Sequence, residues 1–309
     1  MASLDVTEAV PERPRARNLR LEGIGLICLA LFLFSLLDTS AKWLTRHDLP
    51  PIQVTFVRYG MAFLVAGLVF NPVRAPHAWR MSRPWLQVFR AAVLFGSTIF
   101  NFLALRKLQL AETMSITFAT PFLIALVAGR LLGETVGLKR WAAIVVGFLG
   151  VLVVTRPGGG FDPAMLWTFA AVLCYAAYAI TTRMLSGVDS SASMLIFSAL
   201  MPVVAMAPFL PGFWVWPSSG FAWAVLLDTG VLGAVGHFFL IMAYARAPAS
   251  VIAPFTYTQI VWMVLFGYLV FGDVPGLATL AGASIVIASG LYLLYCERAE
   301  RQAARRSAS

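Results

Sequence analysis

Apolar stretches long enough to span a bilayer follow one another almost back to back from Ile24 to Tyr295, separated only by short polar or Pro/Gly-rich hinges. A hydrocarbon core about 30 Å thick takes roughly 20 apolar residues per helix. The pattern therefore predicts ten transmembrane helices, near residues 24–44, 52–70, 85–105, 112–132, 138–155, 163–183, 192–210, 221–244, 250–271 and 276–296. Hinges such as Asp48 to Pro51, Gly133 to Gly137, Arg156 to Pro163 and Gly272 to Gly276 hold the residues that stop helices.

Composition agrees with that pattern. Hydrophobic residues make up 60% of the 309 and charged residues only 12%, against about 25% charged in soluble domains. A net charge of +9 does not point to nucleic acid, which needs a basic face on a folded soluble domain. Here the basic residues sit in hinges and tails, where Lys and Arg mark the cytoplasmic side. Cys28, Cys174 and Cys296 have neither zinc nor redox spacing. Residues 1–20 are too polar for a secretory signal; they and residues 297–309 are expected to be disordered cytoplasmic tails.

Ten helices put both termini on one side. If that side is the cytoplasm, it receives Arg13, Arg15, Arg17, Arg20, Arg74, Arg80, Arg83, Arg90, Arg130, Lys139, Arg140, Arg183, Arg246, Arg298, Arg301, Arg305 and Arg306, which is 17 of the 23 basic residues. Lys42, Arg46, Arg58, Arg106, Lys107 and Arg156 go to the other side. Both termini are accordingly assigned to the cytoplasm of a bacterial-type inner membrane.

An internal repeat organises the chain. Leu131-Leu132-Gly133-Glu134-Thr135-Val136-Gly137-Leu138 recurs as Val270-Phe271-Gly272-Asp273-Val274-Pro275-Gly276-Leu277, so that Gly133 maps to Gly272. Lys42-Trp43-Leu44 similarly maps to Arg183-Met184-Leu185. The reading is two five-helix units, residues 21–156 and 157–296. Because five is odd, the second unit enters the membrane from the opposite side, giving inverted repeats about an in-plane pseudo-two-fold axis.

These pieces carry a resemblance. Asp38-Thr39-Ser40-Ala41-Lys42-Trp43-Leu44, Phe56-Val57-Arg58-Tyr59, Pro121 through Gly133-Glu134 and Gly147-Phe148-Leu149-Gly150-Val151, with the weaker Phe271-Gly272-Asp273 and Ser289-Gly290-Leu291, resemble the ten-helix, two-domain branch of the drug/metabolite transporter superfamily, whose domain is called EamA. The resemblance implies an all-α membrane fold with helices 1, 3, 4, 6, 8 and 9 around a central cavity. It also implies transport of a small metabolite, without naming the cargo.

Within the spans, Asp38 stands out because an ionisable group there costs about 2.5–3.5 kcal/mol on an insertion scale and is a functional candidate by default. It is expected to bind a cationic group or coupling proton, or to pair with Lys42 four residues on. Arg58 attracts a carboxylate, pairs with Asp38, or snorkels outward. Thr113, Thr117 and Thr120 share a face of helix 4, Thr256 and Gln259 a face of helix 9, and Tyr175, Tyr178 and Thr182 a face of helix 6. Asn101, His237, Tyr257 and Trp262 join Asp38, Thr117, Thr120, Tyr175, Tyr178 and Gln259 as the expected cavity lining. Their alternative role is interhelical packing and hydrogen bonding. Asp228 is a further possible partner of His237, and Glu112, Glu134 and Asp273 read as architectural. Pro121 is the expected hinge or kink of helix 4, freeing the carbonyl of Thr117.

No His-Glu-x-x-His, Gly-x-Ser-x-Gly or phosphate loop is present, which argues against an enzyme; no catalytic residue, metal or cofactor is expected. The partners are the lipid bilayer and a small metabolite, in a functional monomer, with a dimer as the alternative. Sequence alone favours alternating-access export of amino acids or related amphipathic compounds. Uptake of a vitamin or nucleoside-like compound such as a flavin is the runner-up, and a receptor or intramembrane enzyme the alternative class.

Overall fold

The computed structural model describes residues 14–71, 73, 75–120, 122–124, 127, 138–156, 161–185, 188–247 and 253–307. Its α-helices are α1 (Pro14–Arg46), α2 (Pro51–Val69), α3 (Pro84–Leu105), α4 (Leu110–Thr117), α5 (Leu138–Thr155), α6 (Met165–Leu185), α7 (Ser191–Met206), α8 (Gly220–Arg246), α9 (Gln259–Phe271) and α10 (Leu277–Ser307). No strand occurs among the described residues. Among the described residues, six helices are long and apolar enough to cross a bilayer, and four shorter apolar helices accompany them. The chain is a multi-pass membrane protein, and Trp85, Leu68, Leu138 and Leu277 are among the large apolar side chains it leaves exposed.

Local chemistry explains several helix ends. Pro51 and Pro84 open α2 and α3 at the first helical position, where the absent N–H has no intrahelical partner to lose. At α4 the backbone N–H of Gln109 donates to Glu112 (3.1 Å) in a capping box. Gly272 ends α9 at φ 68°, a left-handed conformation that costs a residue with a Cβ about 1–2 kcal/mol.

Three expectations need correction. Helix 9 opens with a 3-10 stretch, Ala253–Thr258, because Pro254 has no N–H to give and the two threonines are poor helix formers. The expected polar tails are partly helical: α1 starts at Pro14 and α10 runs to Ser307, on segments rich in Ala, Arg, Glu and Gln that favour helix. Helix 7 stops at Met206, short of 210. Pro121 and Glu134 lie outside the described residues.

Packing interlocks the two halves of the chain. α1 packs chiefly on α8 and α3 on α6; α2 packs on α8 and α7, and α3 on α7; α5 lies along α10, and α4 meets α9. The α5–α10 contact rests on two glycines: a Cβ on Gly282 would lie 2.6 Å from the Gly150 carbonyl oxygen, and one on Gly150 3.0 Å from that of Gly282. Backbones approach this closely only where side chains are missing. Buried hydroxyls are satisfied within their own helices, as Ser35 Oγ donates to the Leu31 carbonyl (2.8 Å) and Thr39 Oγ1 to that of Ser35 (2.7 Å). An unpaired polar group in hydrocarbon would cost several kcal/mol.

At one end of the bundle Lys42, on α1, pairs with Asp273 in the turn after α9. The Lys42 ammonium is fully buried and also lies 4.6 Å from the Phe271 ring centroid. The expected pairing of Lys42 with Asp38 is thus not made, and Asp273 is an ion-pair partner across 231 residues of chain. At the opposite end of α1, Arg246 meets Glu22 at 3.2 Å.

Candidate functional site

α1, α3, α4, α6, α8 and α9 wall a cavity of about 450 Å³, within the range of small-molecule sites. Asp38, Asn101, Thr117, Thr120, Tyr175, His237, Tyr257 and Gln259 all line it, as do Arg58, Thr113 and Thr256. Most of the remaining wall is aliphatic or aromatic, including Leu31, Phe34 and Met263.

The charged groups are placed by helix packing. Asp38 Oδ1 accepts a hydrogen bond from Asn101 Nδ2 on α3 (3.1 Å), and Asp38 makes no ion pair within the described residues. Arg58, on α2, reaches the same cavity and donates through Nη1 to Thr98 Oγ1 (2.8 Å), which also bonds the Tyr59 hydroxyl. The cavity therefore holds a carboxylate and a guanidinium, each hydrogen-bonded to neutral groups and close enough to feel one another's charge without a direct ion pair.

Other expectations divide. The three threonine hydroxyls of the α4 face point into the cavity wall yet donate backwards along the chain: Thr113 to the Gln109 carbonyl (3.2 Å), Thr117 to Thr113 (2.8 Å) and Thr120 to Thr117 (2.6 Å). The Thr117 carbonyl, which Pro121 cannot bond, is thus taken up by Thr120. Tyr257 is buried, edge-on to Phe118 at 4.9 Å, while His237 packs against Phe34 at 4.9 Å.

Two cavity candidates do not sit where the sequence put them. Trp262 is absent from the cavity wall because its ring packs on Phe32 (5.0 Å) and Phe266 (6.3 Å). Tyr178 faces a second cavity of about 230 Å³, between α2, α3, α6, α7 and α8, although it shares a helix stripe with Tyr175. Asp228 is exposed and takes no part with His237. Arg90, by contrast, was assigned only to topology and is almost wholly buried beside that second cavity. The available signal was Gln87 three residues before it, on one face of a helix opening at Pro84.

The comparisons with known proteins agree with this architecture. A model of the EamA-like transporter family matches residues 21–156 and again 162–296. The S-adenosylmethionine uptake transporter of Rickettsia felis is 30% identical over 280 residues, covering 90% of this chain and 94% of that protein. The riboflavin transporter of Rhizobium johnstonii is 30% identical over 281 residues, covering 89% and 92%. A solved protein structure, 18% identical, shares the fold with a TM-score of 0.61 over 91% of this chain and 98% of its own. With the family model matching both halves, this chain belongs to the EamA-like transporter family of the drug/metabolite transporter superfamily, and it is a transporter of small metabolites, not an enzyme.

Proposed function

We propose that this protein takes up a zwitterionic nucleoside of the S-adenosylmethionine class across the inner membrane. The observation that carries the reading is the pairing of opposite charges in one cavity. Asp38, bonded only to a neutral amide, suits the sulfonium or ammonium of such a solute; Arg58 suits its carboxylate. Tyr175, Tyr257 and Phe34 offer ring faces and edges for a purine. Relatives named for uptake move the preference away from amino-acid export. The same relatives support a second reading, riboflavin uptake, for which the aromatic wall is suited and the buried charges are not.

Alternating access between the halves 21–156 and 157–296, ten crossings with inverted repeats, is the mechanism we infer. It is supported by the contacts: replacing each helix n by n+5 turns the α1–α8 contact into α6–α3, α2–α8 into α7–α3, and α1–α9 into α6–α4. α5–α10 and α4–α9 map onto themselves. Such a pair of packings exchanges sides when the halves swap conformations. The basic-residue count supports cytoplasmic termini, and one bundle encloses the cavity, so a monomer suffices.

The test is uptake of labelled S-adenosylmethionine and riboflavin into proteoliposomes. Saturable S-adenosylmethionine uptake is expected, and D38N should weaken it by about 10- to 150-fold, since a hydrogen-bonded charge contributes roughly 1.5–3 kcal/mol. Riboflavin uptake with no S-adenosylmethionine uptake would replace the first reading by the second.

A further inference from the structure

The second cavity contains a positive charge, on Arg90, that the proposed cargo site does not use. Arg90 is 3% exposed, and its guanidinium is gripped from two helices, α6 and α7. Nε donates to Thr182 Oγ1 (2.7 Å), Nη1 to Ser198 Oγ (2.6 Å) and the Met194 carbonyl (3.0 Å), and Nη2 to the Tyr178 hydroxyl (3.1 Å). Every one of these acceptors is neutral. The carboxylate of Asp189 communicates with Arg90 only through Gln87, whose Nε2 donates to Asp189 (2.9 Å) and whose Oε1 lies 3.5 Å from Arg90 Nη1. Arg58 lines the same cavity, and its N–H groups other than the one given to Thr98 have no acceptor among the described residues.

Two guanidinium groups thus face a space of about 230 Å³, with His237 and Tyr59 as the other titratable groups on its wall besides Tyr178. Taking an ion out of water costs several kcal/mol unless an opposite charge compensates it. Hydrogen bonds to hydroxyls and a carbonyl orient Arg90, and the Tyr178 ring 4.7 Å from its Cζ offsets part of its charge, but no carboxylate pairs with it among the described residues. One of its five N–H groups, on Nη2 beside Tyr178, also lacks a partner among the described residues. A planar guanidinium held this firmly, with a free N–H and a second guanidinium across the gap, is suited to an oxyanion.

We propose that the Arg58/Arg90 cavity is a binding site for a phosphate-bearing anion, separate from the Asp38 end of the cargo cavity. Arg90, fixed by Tyr178, Thr182 and Ser198, supplies the principal charge; Arg58 faces both cavities and couples them, so that occupancy of the anion site changes how Arg58 presents itself to the cargo. The phosphate belongs either to a free anion or to a lipid headgroup, and the chemistry of recognition is the same. The assignment does not depend on which cation Asp38 takes.

The probe is inorganic phosphate, titrated onto the purified full-length protein in phosphate-free maltoside micelles, with thermal unfolding as the readout. A saturable rise in the unfolding temperature is expected at constant ionic strength, because a ligand of the folded state alone stabilises it. R90Q should abolish the rise and S198A should shift it to higher phosphate concentration. If R90Q does not yield monodisperse protein, R90K, which keeps the charge but loses the fork, takes its place and should weaken the response at least tenfold. D38N should weaken uptake as above and retain the phosphate response, which separates this proposal from the cargo reading. A response to phosphatidylglycerol nanodiscs instead of phosphate, again removed by R90Q, supports the site and assigns it to a headgroup. An identical response in wild type and R90Q, or none to either phosphate source, overturns the proposal.

Discussion

Asp273→Asn is the sharpest test of how the bundle is closed at the Lys42 end. The ammonium of Lys42 has no accessible surface, whereas the side chain of Asp273 keeps 16% of its own. Removing the carboxylate therefore leaves a buried cation with the Phe271 ring at 4.6 Å, worth about 0.5–2 kcal/mol, and the weaker attraction of Glu112. Breaking a buried pair from one side costs about 3–5 kcal/mol, most of it the stranded charge. Lys42→Met strands the partly hydrated carboxylate instead and should cost less. The double substitution removes both charges and should recover much of the loss. Reversible unfolding in mixed micelles, followed through the 9 tryptophans, gives the three values needed for a double-mutant cycle. Equal losses for the two single substitutions, or a coupling energy near zero, would refute the claim that this pair locks α1 to the turn after α9.

Three further outcomes follow from particular contacts. Gly282→Ala places a Cβ 2.6 Å from the Gly150 carbonyl oxygen and 2.9 Å from the Val154 nitrogen; since backbone must yield, a loss of about 1–3 kcal/mol is expected in the same unfolding assay, and unchanged stability would contradict the glycine contact. Burial alone would raise the Asp189 carboxyl, but hydrogen bonds from Ser82 and Gln87 and the Arg83 charge hold it below its usual range. Its contribution is thus full above the unfolded pKa of about 3.9 and lost as pH falls through the lower folded value. The stability gap between wild type and D189N should accordingly shrink on acidification below about pH 4, and a gap independent of pH would show that the carboxylate is not held in this way. Trp262→Phe should leave the transport KM within about twofold, or roughly 0.4 kcal/mol, because the ring packs on Phe32 and Phe266; a tenfold rise would return Trp262 to the cavity wall.

The sequence carried the class of molecule and most helix positions by itself. An apolar run of membrane length, a proline at the first turn or a Gly at a left-handed helix end is local chemistry, and α2, α3 and α5 start and stop within a residue of the positions read from the pattern. The cavity residues were also largely legible, since Asp38, Asn101, Thr117 and Gln259 are polar groups that a span retains only for a reason. Partnership was not legible. Lys42 had an acid four residues away and bonded instead to one 231 residues on, and Arg90 resembled a topology marker until α6 and α7 closed over it. Tyr175 and Tyr178, neighbours on one stripe, face different cavities. In a bilayer both lipid-facing and most protein-facing helix surfaces are apolar, so hydrophobic periodicity distinguishes lipid from protein interior far less sharply than it distinguishes water from a core. Which face turns inward, and which distant charge meets which, is decided only when the helices pack.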